Sequence, residues 1–486
     1  MSEILFQLPD EPGLNLQTRI REMLVTAILD GHLPAGSPVP SGRKLSQQLN
    51  VARNTVVLAY EHLVDEGYLV AKERSGFYVN GDIVQGRAKL NHASENFHSG
   101  HLDWSNRIQK PCSKQRHIVK PDDWQKYTYP FLYGQFDPAL FPIADWRDCC
   151  RHAGSVAAIH SWAGDRIDQD DPSLIHQIHT KVLPRRGVFA QPDEILITLG
   201  AQHALYLAAQ LLINSTTRVG IEEPGYTDAR NVFLRHTDDV CALSIDGSGL
   251  TISDQLAQCE YVYVTPSHQF PTTVTMPLQR RRELLQLAQR NDIVIIEDDY
   301  ESELNFGNQP SPALKSMDGG DRVIYIGSLS KTLAPGLRMG YLVGPKEFIH
   351  EARVLRRLML RHPPANNQHI VSEFLKRGYH DALVRRLHHS LSDRWRIMNN
   401  ALEQYFPGCV EAPSFGGSAF WVQSTGINDI RNFAELARQH DVLIEPGDVF
   451  FANPDLAKGC FRLGYSSIAS DRIPKGLEIL AQLAKN

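Results

Sequence analysis

Apolar residues recur at steps of three and four through Leu16, Ile20, Met23, Leu24, Ala27 and Ile28, marking one face of a helix between Asn15 and Gly31. Gly31 and Pro34 stop that helix. Pro38 and Pro40 read as a stiff connector, after which Ser41 is placed to cap a short helix carrying Leu45 and Leu49. Asn50 and Val51 turn the chain into a third helix over about Arg53 to Glu66, closed by Gly67. Two β-rich runs follow, Tyr68 to Ala71 and Phe77 to Val79, joined by Lys72-Glu73-Arg74-Ser75-Gly76. Three helices and a hairpin in residues 1–80 predict a winged helix-turn-helix.

The pattern then lapses. Residues 81–126 hold few apolar positions and no period, with Gly81, Gly86 and Gly100 scattered among His, Asn and Ser. We read this stretch as a linker. Seven basic and three acidic residues between Asp82 and Lys120 make it locally positive, and a solvated tether is the reading adopted over added DNA contacts. From about Tyr127 to the end, strands and helices alternate. Ile195–Thr198, Tyr261–Val264, Ile293–Ile296 and Val323–Ile326 are continuous apolar runs, as in strands buried on both faces. Helical patterns lie between them, at Ala204–Ile213 and Pro277–Gln289. This predicts an α/β body, residues 127–486, with a mostly parallel sheet.

Composition narrows the classes. In 486 residues, 50 Lys+Arg against 55 Asp+Glu give a net charge of −5, which excludes a globally basic chain. Nucleic-acid contact must therefore come from a local cluster, and residues 1–80 themselves hold 7 basic and 9 acidic residues. No apolar run reaches the ~18–20 residues that span a bilayer. Met1 to Pro9 lacks a basic start followed by an apolar stretch, so a secreted protein is not expected. The seven Cys are odd in number and include no Cys-x-x-Cys pair, which argues against a disulfide framework or a thiolate metal site and for the cytoplasm.

Basic residues in the head fall where a winged helix meets DNA. Arg53, Asn54 and Thr55 form the first turn of the third helix, the end that leads into a major groove. Lys72 and Arg74 sit at the wing tip, and Arg43 and Lys44 open the second helix, all placed for phosphates. Residues 40–79 resemble the DNA-binding domain of GntR-type bacterial repressors. The resemblance rests on Pro40-Ser41-x-Arg43-x-Leu45, Arg53-x-Thr55-Val56, Tyr60-x-x-Leu63, and Glu66-Gly67 before Gly76-Phe77-x-Val79.

In the body, chemistry is expected beyond the carboxyl ends of the strands. Gly327-Ser328-Leu329-Ser330-Lys331 follows one strand, Glu297-Asp298-Asp299-Tyr300 another, and Gly200-Ala201-Gln202 opens a helix after a third. Together these supply what pyridoxal 5'-phosphate needs. Lys331 offers the amine for a Schiff base, and Asp298 a carboxylate for the pyridine nitrogen. Ala201, Gln202, Ser328, Ser330 and Arg338 offer N–H groups, hydroxyls and a guanidinium for the phosphate. Tyr226 can stack on the ring, and Tyr300 can donate its phenol. The Lys331 segment lacks the spacing of a P-loop.

That ordered set resembles fold-type I pyridoxal-phosphate enzymes of the aspartate aminotransferase group, from roughly Tyr127 to the C-terminus. The resemblance implies a large domain and a smaller C-terminal α+β subdomain. It makes Asp298, directly after the Glu, the ring-nitrogen partner in place of Asp299. It makes Arg462, in Phe461-Arg462-Leu463-Gly464-Tyr465, the clamp for an α-carboxylate. A GntR-like head on such a body resembles the MocR/GabR family of bacterial transcriptional regulators. Phe141-Pro142 to Trp146, Arg186-Gly187-Val188 and His268 to Pro271 fit that family too. Membership implies a double-stranded DNA operator, bound pyridoxal phosphate, an amino-acid, amine or B6-vitamer effector, and a head-to-tail homodimer. Two departures from the enzymes stand out: Phe270 replaces the Asn that precedes the Pro-Thr pair, and Thr273 replaces the Gly after it. The resemblance thus implies a regulator with at most vestigial transamination. The alternative is an aminotransferase with an accessory DNA-binding head.

Overall fold

Asn15 opens the first helix, α1 (Leu16–Leu29), its side-chain oxygen accepting from the Thr18 N–H at 2.9 Å. The computed structural model describes residues 6, 8, 13–73, 75–84, 102–135, 137–307, 311–410 and 415–485, in two units, residues 1–107 and 108–486. In the first unit α1 is followed by α2 (Gly42–Gln48), α3 (Arg53–Asp65), β1 (Leu69–Lys72) and β2 (Gly76–Val79). Ser41 caps α2, its hydroxyl accepting from the Lys44 N–H. Ile20, Leu24, Leu45, Val56, Tyr60, Leu63, Leu69 and Val79 form one buried core, so all three helices and the wing share it. The wing strands start one residue from where the sequence suggests. Tyr68 N–H is taken by the Leu63 carbonyl at the end of α3, and antiparallel pairing runs from Leu69↔Val79 to Lys72↔Gly76.

The second unit is built on an eight-stranded sheet. Its strands come after β3 (Tyr129–Pro130): β4 (Ile195–Thr198), β5 (Val219–Glu223), β6 (Val240–Asp246), β7 (Gly249–Leu250), β8 (Tyr261–Val264), β9 (Val294–Asp299), β10 (Val323–Ser328) and β11 (Gly340–Val343). The spatial order is β4-β11-β10-β9-β8-β5-β6-β7. From β10 through β9, β8 and β5 to β6 all pairs are parallel, while β11 is antiparallel to both neighbours and β7 to β6. Side chains alternate across the sheet. Ile296, Ile324 and Ile326 pack with the helix Ala201–Leu212 on one face, and Tyr325 and Tyr341 pack on the other. The helix Leu278–Asn291 contributes Leu284 and Ala288 to a further cluster with Ile293 and Ile295.

β9 runs three residues beyond the apolar run that announces it. Its parallel register with β10 continues to Ile326↔Asp298 and Gly327↔Asp299, so both carboxylates sit at the strand's carboxyl end. A smaller subdomain follows the long helix Tyr379–Tyr405. It holds β12 (Ala419–Gln423), β13 (Val442–Leu443), β14 (Glu445–Pro446) and β15 (Cys460–Gly464), with helices Ile430–Gln439 and Ile473–Leu483. The antiparallel sheet β12-β15-β14 sets Glu445 directly opposite Arg462, and β13 pairs with β3. Residues 108–126, read from the sequence as the end of a tether, lie in this second unit. Arg116 donates to the carbonyls of Asp448, Phe451 and Ala452, and Lys110 to that of Arg235, so side-chain anchors hold a stretch without apolar period. No helix among the described residues is long and apolar enough to cross a membrane.

Candidate functional site

A cavity of about 350 Å³ opens at the carboxyl ends of the parallel strands. All nine residues expected around the cofactor line it: Ala201, Gln202, Tyr226, Asp298, Tyr300, Ser328, Ser330, Lys331 and Arg338. The strand ends explain the convergence. β9 delivers Asp298, the turn after β10 delivers Lys331, and the turn after β4 delivers Ala201 and Gln202 at a helix N-terminus.

Asp298 and Asp299 part at this point, because successive strand residues face opposite ways. Asp298 faces the cavity. Its Oδ2 accepts the Tyr263 phenol at 2.7 Å, while Oδ1 is buried without a partner among the described residues. Burial pushes its carboxyl up to about 7. Asp299 is engaged elsewhere: its Oδ2 takes Arg186 Nε at 2.8 Å and the Tyr325 phenol at 2.7 Å. Arg186 also donates to Ser267 Oγ and the Ser311 carbonyl, so the Arg-Gly-Val motif serves as a buried brace beneath the site.

Lys331 is enclosed, and burial pulls its ammonium down to about 8. Its Nζ lies 4.3 Å from the centre of the Tyr133 ring. A β-carbon on Gly134 would lie 3.0 Å from that amine, and the left-handed φ of +74° there favours glycine. At the other end, Gly200 has φ +82° and lets Arg338 pack against it; Arg338 Nη2 donates to the Leu199 carbonyl at 3.2 Å. Ser330 Oγ is committed to the backbone of Met339, both donating and accepting, which leaves Ser328 the freer hydroxyl. Tyr226 donates to Gln202 Oε1 at 2.9 Å, and Tyr300 to the His268 carbonyl at 2.8 Å.

Phe270 stands at the centre of an aromatic wall, 5.0 Å from Tyr226, 5.6 Å from Tyr133, 5.8 Å from Tyr300 and 5.6 Å from Phe450 between ring centres. Thr273 keeps a left-handed φ of +65°, a conformation glycine adopts without cost and a β-branched residue does not.

Arg462 is buried against the same wall, its guanidinium carbon 4.1 Å from the Tyr133 ring and 4.2 Å from that of Phe270. It pairs with Glu445, Nε to Oε2 at 2.8 Å. Glu445 Oε1 also accepts the Tyr133 N–H at 3.2 Å and lies 3.4 Å from Lys120 Nζ. Lys120, Tyr133, Tyr263 and Glu445 escape the sequence reading. The role of Glu445 depends on strand register, and Lys120 lies in a stretch without periodic signal. Tyr263, the penultimate residue of an apolar strand, carried the one usable hint: a polar tip beside the Asp298 strand.

In the first unit, Arg53 and Asn54 are exposed on the first turn of α3, with Thr55 half-buried beside them. Arg43 and Lys44 are exposed at the start of α2, and Lys72 is exposed at the end of β1 with its ammonium over the Tyr78 ring. Arg74 lies outside the described residues.

Residues 16–79 match the family described as bacterial regulatory proteins, gntR family, and residues 167–480 match aminotransferase class I and II. The chain is 40% identical to the HTH-type transcriptional regulator TauR of Rhodobacter capsulatus, over 99% of this chain and 98% of that one. It is 30% identical to the probable rhizopine catabolism regulatory protein MocR of Rhizobium meliloti, over 79% and 76%. Among solved structures it is similar to kynurenine aminotransferase of Pyrococcus horikoshii, a structure in complex with PMP. The TM-score is 0.72 at 26% identity, covering 78% of this chain and 98% of that one.

Proposed function

Because this chain belongs to the MocR/GabR family of transcriptional regulators, a GntR-type head on an aminotransferase-like body, we propose that the body holds pyridoxal 5'-phosphate and uses it to sense an amine-bearing effector. The observation that carries this reading is that Asp298, its Oδ1 buried and unpartnered among the described residues, lines the same cavity as Lys331. A buried carboxylate oxygen without a donor is costly, and a protonated ring nitrogen is the partner it lacks.

The residues present fit the group. Asp298 would hold the ring nitrogen, with the Tyr263 phenol fixing the carboxylate's orientation. The N–H groups at the start of the helix Ala201–Leu212, with Ser328 and Arg338, would hold the phosphate. When bound, the group supplies an aldehyde that captures primary amines. Lys331, with its ammonium drawn down to about 8, keeps a useful fraction of neutral amine near neutral pH. Tyr226, Phe270 and Tyr300 exclude water from one side of the cavity. Arg462 would receive the effector's acidic group, and the exposed Arg53, Lys72 and neighbouring residues would read and hold the operator.

Effector binding acts through differential affinity for two arrangements of the protein. The working form in this reading is a head-to-tail homodimer. The reading of an aminotransferase with an accessory head draws on the same Lys331 amine. Against it stands Phe270 in place of the Asn. Purified protein incubated with an amino-acid panel separates the two: steady release of keto acid supports the enzyme, and altered operator affinity without release supports the sensor. Borohydride reduction followed by peptide mapping tests the cofactor itself, which should be fixed to Lys331.

A further inference from the structure

Three cations gather on the ring of Tyr133. The Arg462 guanidinium carbon lies 4.1 Å from its centre, Lys331 Nζ 4.3 Å and Lys120 Nζ 5.8 Å. Glu445 answers two of them at once, with Oε2 on Arg462 and Oε1 beside Lys120. Arg462 Nη2 also lies 2.7 Å from the same Oε2, and the side chain is only 1% exposed. Charge decides how this pair meets an incoming anion. Arg462 with Glu445 alone is neutral towards an incoming anion, and Lys120 supplies the surplus positive charge. The other nearby carboxylate, Glu301, accepts from Ser418 Oγ and acts on Lys331 and Arg462 from the amine side.

Lys120 also has an unusual address. Ile118 and Lys120 line the cavity, yet they belong to the stretch through which the chain from the first unit enters the second. Arg116 ties that stretch to three carbonyls, and Asn231 Nδ2 holds the Arg116 carbonyl at 2.8 Å.

We propose that Lys120 is a specificity-determining residue of the effector site. With Arg462 it holds the acidic group of an amino-acid effector, and Glu445 is the internal counter-ion that keeps the two cations together until that group arrives. This rests on the reading of Lys331 and Arg462 above. The ligand class follows from the charges: a primary amine for the Lys331 side, and one carboxylate or comparable anion for the pair. A plain amine gains nothing from Lys120. The acidic group then bears on the segment joined covalently to the DNA-binding head.

The test is titration of the cofactor-loaded full chain, followed by its visible band. The probes are straight-chain amino acids from glycine to 5-aminopentanoate, each set against the amine lacking its carboxylate, methylamine to butylamine. Wild type should prefer at least one acid over its matched amine by about tenfold or more, the scale of a charge-assisted contact. Lys120→Met should remove most of that preference while the amines bind as before, and Lys120→Arg should restore it. Glu445→Gln should strengthen acid binding. Lys120→Gln replaces Lys120→Met where the latter fails to load cofactor. The same ratios should appear in operator affinity. An acid-to-amine preference unaltered in Lys120→Met, no preference in wild type, or weaker acid binding in Glu445→Gln overturns the proposal. A wild-type chain that never develops a visible band sinks the underlying reading as well, and shows this before any amine is added.

Discussion

The Tyr263 phenol donates to Asp298 Oδ2 at 2.7 Å and leaves Oδ1 of the same carboxylate buried and, among the described residues, unpartnered. The pair is thus oriented but unsatisfied, an arrangement that suits a cationic partner arriving from the cavity.

Asp298→Asn tests this in two directions. In the cofactor-free protein the carboxyl is raised from 3.8 to about 7, so its ionisation opposes folding. A raised pKa gives stability that is full below the unfolded value and is lost as pH rises towards 7. The cofactor-free variant should therefore gain on cofactor-free wild type between pH 4 and 7, by at most about 4 kcal/mol. Urea unfolding at both pH values measures it. With saturating pyridoxal phosphate the order should reverse, because only wild type offers the carboxylate.

Cofactor capture should follow the ionisation of Lys331. An ammonium at about 8 is about 10% neutral at pH 7, against roughly 0.03% for an ordinary lysine. The rate of growth of the visible band should rise with pH and level off above about 8. A rate still climbing steeply at pH 10 contradicts the buried-amine account.

Arg186→Ala should destabilise the body by about 3–5 kcal/mol, because it strands the Asp299 carboxylate in the interior. Removing both charges, as Arg186→Ala with Asp299→Ala, should recover part of the loss. Equal losses in the single and double variants, by urea unfolding, contradict the brace.

Arg53→Ala should reduce discrimination between operator and random DNA by about 1–3 kcal/mol if the side chain meets a base edge. Lys72→Ala should instead weaken all sequences alike and lower the salt slope by about 0.9. Fluorescence anisotropy at several salt concentrations separates the two effects.

The sheet was legible because strands buried on both faces leave unbroken apolar runs, as Tyr261–Val264 does. Asp298 and Lys331 were legible as candidates because they come shortly after such runs, behind Glu297 and behind Gly327-Ser328-Leu329-Ser330. The extension of β9 through Asp299 was not, since pairing with β10, rather than side-chain polarity, carries the strand that far. Glu445 was opaque for a related reason. Its meaning lies in being opposite Arg462 across two strands 17 residues apart in the chain, and a lone Glu before Pro-Gly signals nothing. Lys120 was hidden by its surroundings. The stretch around it is held by arginine-to-carbonyl bonds and a lysine amine, which leave no hydrophobic period to read.

The most direct measurement is operator affinity of the full chain, using the genomic fragment it enriches, with and without amino acids, amines and B6 vitamers, in wild type and Lys331→Ala. The account predicts that at least one of these ligands shifts the affinity or the DNA bend of cofactor-loaded wild type, and that an amine-bearing ligand does nothing to Lys331→Ala. Operator binding that no amine or B6 vitamer alters in wild type would contradict it.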